Sequence, residues 1–235
     1  MKSATRITVS TLGALAGLSG IEHGLGEVLQ GNVAPPGIVF QSWPNSELFG
    51  ILNGEPAMSL VPNMLVTGIL AIIISSVFLV WAAAFIERTH GGLILILLSI
   101  AVLLVGGGFG PFLLGLVLGL TATRINALRC GQGSRVPASL RQFLDRLWPW
   151  LYGADLIAWL MLFLGWPLAG LMPGVAGSDA VIVPLCTTIA VAFGLLLLLV
   201  AAGLARDGLR QADVGKREGC DRNDCIGRPE ITNSS

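Results

Sequence analysis

The sequence predicts an all-α, polytopic membrane protein with about six transmembrane helices, N-in and C-in, including a short glycine-turned hairpin. Three observations predict it. Charged residues make up only 12% of the chain, about half the share usual in a soluble domain. Residues 56–86, 91–123 and 180–205 carry no charge, and each exceeds the roughly 18 apolar residues that mark a spanning helix. The fourteen Lys and Arg all fall where one side of a membrane can hold them. A soluble core can bury one such segment but not several. The net charge is zero, so the lipid bilayer is the expected surrounding and nucleic acid is not an expected partner.

The expected spans are 7–29, 63–86, 91–107, 110–124, 149–171 and 180–204. The first follows Lys2 and Arg6 and has small residues around Ala14 and Ala16, as a signal peptide does. Its apolar pattern continues through Ile21, Leu25, Val28 and Leu29, so a retained helix is the preferred reading. One helix over residues 91–123 would be about 50 Å long, against a bilayer core of roughly 30 Å. Gly106, Gly107, Gly108, Gly110 and Pro111 favour a reversal there instead. The two arms are short, so they form either a thin hairpin or a re-entrant pair.

The basic residues test that reversal. They occupy the N-terminus, Arg88, the 124–146 loop and the stretch from Arg206 onward; residues 30–62, 106–110 and 172–179 hold none. Six spans put every one of them on the cytoplasmic side, whereas a single span over 91–124 divides them. Trp148, Trp150 and Tyr152 at one end of the fifth span, with Trp166 near the other, fit the aromatic belts of one bilayer.

Residues 1–205 therefore read as a transmembrane domain. In the cytoplasmic 124–148 loop, Leu140, Phe143, Leu144 and Leu147 share one face, which predicts an amphipathic helix on the inner membrane surface. The polar 206–235 segment reads as a disordered cytoplasmic tail. The outer 30–62 loop carries five prolines and the apolar patches 37–40 and 48–52. It is either a lid or a loop packed on the outer surface.

Small residues supply the expected helix contacts. Gly13, Gly17, Gly20 and Gly24 form one stripe on the first helix, and Gly115 and Gly119 mark a second site on the fourth span. Such stripes permit close helix approach, either within the chain or to a second copy or partner subunit.

The ionisable residues inside the spans are the candidate polar or ion site: Glu22, His23, Glu27 and Asp155. At 100° per residue, His23 and Glu27 can meet at i and i+4, while Glu22 points nearly opposite. His23 stands about 24 Å along the first helix, near the outer interface, where a polar pair can reach water. It is a proton, cation, metal or solute site, or a structural helix-end pair. Asp155 either pairs with an arginine of the 124–146 loop or lines a polar path. His90 reads as a rim residue. Two histidines near opposite faces cannot ligate one haem, and no cofactor is expected. Cys220 and Cys225 do not complete a zinc site. Cys130 offers a possible acylation site, and Cys186 reads as packing. There is no H-E-x-x-H, G-x-S-x-G or phosphate loop.

The reading that follows is a small transporter or permease-like protein for an ion, proton or small solute. The alternatives are a non-catalytic scaffold or accessory subunit, and a metal-dependent intramembrane enzyme for which Glu47 or Glu55 would have to supply a further ligand.

Overall fold

The computed structural model describes residues 3–44, 46, 54–129, 138–172 and 179–226. The chain is mostly helical. The helices are α1 (Ala4–Gln30), α2 (Met64–Val80), α3 (Gly91–Leu104), α4 (Phe109–Arg129), α5 (Ala138–Leu160), α6 (Trp166–Gly170) and α7 (Asp179–Ile226). Wide π-helical turns at Trp81–Phe85 and Met161–Gly165 extend α2 and join α5 to α6. Three stretches are long and apolar enough to cross a membrane: Met64–Phe85, Ser139–Ala169 and Val181–Arg210. Gly91–Leu104 and Phe109–Arg124 are apolar but shorter.

α1 is the central helix. It packs on α2, α4 and α7, while α3 pairs with α4 and α5 with α7. The core between them includes Leu12, Phe78, Leu95, Leu118 and Leu196. The outward faces are apolar too: Val66, Ile69, Ile73 and Val77 on α2, and Leu93 and Leu97 on α3, are all exposed. A helix that is apolar all round suits lipid on its outer face.

The glycine stripe is used inside the chain. A Cβ on Gly13 would strike Ala82, one on Gly17 would strike Leu79, and one on Gly20 would strike Ser75. Gly24 and Gly68 meet backbone to backbone, each lying where the other's Cβ would be. Gly115 packs on Ser99 and Phe78, and Gly119 on Ile96. These contacts set both small-residue sites against neighbouring helices of the same chain.

The N-terminus of α1 is tied to α7. Ser3 Oγ accepts from the Arg6 amide at 3.0 Å. Asp207 accepts from the amides of Ala4 at 2.8 Å and Thr5 at 3.0 Å. A carboxylate here satisfies orphan helix donors and meets the positive end of the helix dipole. Arg6 pairs with Glu87 at 3.2 Å, and Arg206 with Asp145 at 3.3 Å while lying over the Trp148 ring. These contacts define one end of the bundle, here called the ion-pair end.

The other end carries the loops. The hairpin expected around residues 106–111 is present: α3 and α4 flank a turn with Gly106 and Gly108 at φ +97° and +84°. The 30–62 segment contains a two-stranded antiparallel sheet, β1 (Val39–Gln41) and β2 (Pro56–Met58), with Phe40 opposite Ala57. Phe40, Ala57 and Met64 form a small buried cluster beneath it. Gln30 Nε2 donates to the carbonyls of Gln41 and Ser42. Thr67 Oγ1 donates to Val105 O, and the Leu60 amide to Leu104 O. The loop is thus pinned to both α1 and the glycine turn. Residues 47–53, including the 48–52 patch, lie outside the described residues.

Two expectations are corrected. The 138–148 segment is not a separate surface helix: α5 runs continuously from Ala138 through Pro149. Proline kinks a helix without having to end it. The segment after Arg206 is not disordered up to Ile226, where α7 ends. Residues 206–226 contain no proline, so nothing in the run forces the helix to stop.

Candidate functional site

His23 sits near the loop end of α1 and is 5% exposed. Helical side chains lean toward the N-terminus, and its ring does so. Nδ1 lies 3.0 Å from the Ser19 carbonyl, one turn back, and 3.2 Å from Glu22 Oε2. Nε2 lies 3.1 Å from Glu55 Oε2. Glu55 immediately precedes β2, and the β1–β2 pairing carries it back over α1. The sequence offered Glu55 only as one of two loop carboxylates; the other, Glu47, lies outside the described residues.

This pairing replaces the expected one. The carboxylates on His23 are Glu22 and Glu55. Glu22 reaches the ring because its flexible side chain curls round the helix, which an angular wheel ignores. Glu27 instead accepts a hydrogen bond from Ser42 Oγ at 3.4 Å. It does not reach water: its exposure is 0%, and Oε2 has no hydrogen-bond partner. The glycine turn covers both residues. A Cβ on Gly106 would run into the Glu27 carboxylate, and one on Gly108 into the His23 ring. Gly106 and Gly108 therefore combine a left-handed backbone with close approach to buried polar groups.

Burial pushes the Glu55 carboxyl up from the usual 4.5 to about 7; His23 pulls against the rise and Glu22 adds to it.

A cavity of about 340 Å³ opens beside this cluster. His23 and Glu55 form its polar end. Phe109, Leu114, Trp159 and Phe193 are among its apolar walls. The π-helical turn after α5 adds Leu162 and Phe163 side by side. Glu27 and Asp155 do not line it. Glu27 is sealed under Gly106.

Asp155 is fully buried on α5, one turn before Trp159, and neither of its oxygens has a hydrogen-bond partner. Among the described residues no arginine pairs with it, against expectation. Arg146 is nine residues away on the same helix, about 13 Å along the axis. His90 is exposed at the start of α3, near the Arg6–Glu87 pair and far from His23. Cys186 is exposed on α7. The side chains of Cys220 and Cys225, and all of Cys130, lie outside what is described.

The donor atoms of Glu22, His23 and Glu55 lie within 4.8 Å of one another. That arrangement can share a proton, bind a cationic group or hold a metal ion. No family model, curated protein or solved structure matches the chain.

Proposed function

We propose that this chain is a multi-pass protein of the cell membrane, both termini cytoplasmic, acting as a small permease for a solute with an apolar body and one polar head. The cavity carries this reading: apolar and aromatic walls run up to a single polar end, where the ionisable lining residues are His23 and Glu55. Sites for small molecules combine a mostly apolar concavity with a few placed polar groups in this way. The size fits a ring-sized body with a short head. Sidedness is supported by charge: Arg6, Arg88 and Arg206 belong to the ion-pair end, and the positive-inside rule makes that end cytoplasmic. The cavity then opens toward the outside. Asp155 is the nearest ionisable group along α5 toward the cytoplasm, and is the candidate second station on a path through the bundle.

Uptake of two radiolabelled probes into proteoliposomes tests the reading. Hippurate and benzyltrimethylammonium share an aryl body, carry opposite heads and cross bare bilayers poorly. One of them enters faster than in protein-free vesicles, and Glu55→Gln lowers that rate at least tenfold. Rates equal to protein-free vesicles for both probes, or an unchanged rate in Glu55→Gln, contradict it.

A metal-dependent intramembrane enzyme is a second reading. It is favoured by the convergence of His23 with two carboxylates, the arrangement it requires.

A further inference from the structure

The two nitrogens of the His23 ring face different partners. Nδ1 faces two acceptors, the Ser19 carbonyl and Glu22 Oε2. An acceptor on a ring nitrogen fixes the hydrogen there. Nε2 lies 3.1 Å from Glu55 Oε2, so a proton or a cation held there is shared between the ring and the carboxylate. Two buried carboxylate oxygens in this region, Glu22 Oε1 and Glu27 Oε2, have no hydrogen-bond partner, while Glu55 Oε2 faces the ring nitrogen. Orphaned buried acceptors are rare in folded proteins and call for an occupant. Counting Glu22, Glu27 and Glu55 against one imidazole, the region has an excess of negative charge whenever its carboxyls ionise.

The donors suit one kind of occupant. Ligand atoms around a zinc-sized ion stand about 3–4 Å apart, given bond lengths of about 2.0–2.2 Å. The donor atoms of Glu22, His23 and Glu55 lie within 4.8 Å of one another, and the two flexible glutamate side chains can close that set to such a spacing. One imidazole and two carboxylates, with no thiolate, select a borderline or hard divalent ion over copper(I). The Ser19 carbonyl on Nδ1 is the outer-shell partner that metal-bound histidines commonly have. Because His23 and Glu55 line the cavity, an ion held by them keeps coordination positions facing it.

We propose that Glu22, His23 and Glu55 hold a divalent first-row transition-metal ion, Zn²⁺ or Mn²⁺ in kind. Its open positions make the cavity's occupant a small apolar molecule with a metal-ligating oxygen head, such as a carboxylate. This rests on the cavity being a solute site and names the head it selects.

The test uses the full chain in nanodiscs, with Cys130, Cys186, Cys220 and Cys225 replaced by serine and adventitious metal stripped by chelator. Co²⁺ serves as the probe because its visible d–d bands report coordination. One equivalent gives bands that Zn²⁺ abolishes. His23→Ala and the near-isosteric Glu55→Gln each weaken Co²⁺ binding at least 100-fold, and far-ultraviolet circular dichroism checks that both remain folded. Hippurate shifts the bands; benzyltrimethylammonium does not. Absence of bands in the starting protein overturns the proposal. So does Co²⁺ binding that persists in both folded variants, which marks adventitious metal, or bands that hippurate leaves unchanged. Probe uptake by chelator-stripped protein that gives no Co²⁺ bands overturns the metal site and leaves the permease reading standing. Specific Co²⁺ bands with no uptake of either probe do the reverse.

Discussion

Gly68→Leu is expected to destabilise the fold by about 3 kcal/mol, the upper end of what overpacking costs. α1 and α2 approach backbone to backbone, with Gly24 and Gly68 facing each other. A Cβ on Gly68 would lie 2.6 Å from the Gly24 carbonyl oxygen and 2.7 Å from the Val28 amide nitrogen. Both are backbone atoms, and neither can swing aside as a flexible side chain would. The helices must separate, and the contacts of Gly17 with Leu79 and Gly20 with Ser75 go with them. Helix association in lipid rests on such packing, because lipid tails offer apolar side chains an equally good environment. Unfolding by sodium dodecyl sulfate in mixed micelles measures the change. Gly153→Ala is the matched control, because a Cβ there meets nothing within 4 Å. A Gly68→Leu variant as stable as wild type would show that α1 and α2 do not approach in this way.

Gly106→Ala is expected to cost about 2–4 kcal/mol. The left-handed backbone accounts for about 1–2 kcal/mol of it, and displacing a buried carboxylate from its hydrogen bond for the rest. At φ +97° the new methyl would point into the Glu27 carboxylate. Glu27 is fully buried and cannot retreat to water. Gly110 lies four residues further on, and a Cβ there meets nothing, so Gly110→Ala should change stability by less than about 0.5 kcal/mol. Thermal unfolding followed by tryptophan fluorescence distinguishes the two variants, and equal melting temperatures would contradict the packing of the turn on Glu27.

The helical frame was largely legible because its signals are local. A charge-free run interrupted by three glycines and a Gly-Pro pair marks a reversal by chain stiffness alone, and α3 and α4 flank it. The glycine stripe announced a close helix contact, although spacing along one helix does not identify the partner, which is α2 of the same chain. The candidate site was only half legible. His23 and Glu27 stand out as ionisable residues in an apolar segment, but their partners arrive from far along the chain. Glu55 reaches His23 through the pairing of β1 with β2, and Ser42 reaches Glu27 from the same hairpin. Strand pairing within a proline-rich loop leaves little periodic trace in so few residues. The helix-wheel angle also misplaced Glu22, since it records where a Cβ points and not where a three-carbon side chain ends. Residues 206–226 resemble a solvated tail through their mixed charge, four aspartates and three glycines, and only the lack of proline lets α7 run on through them.

Glu55 of the loop meets His23 of α1 at the cavity, and both the solute site and the metal site require that contact. Nitrogen-15 NMR of the histidine side chains observes that contact directly, since the chain has only two histidines and His90 is exposed at the other end of the bundle. Glu55→Gln should move the Nε2 resonance of His23 by several ppm and leave both ring nitrogens of His90 in place. A spectrum in which His23 keeps its wild-type shifts would mean that the loop does not seat Glu55 on the ring, and neither the solute site nor the metal site would stand.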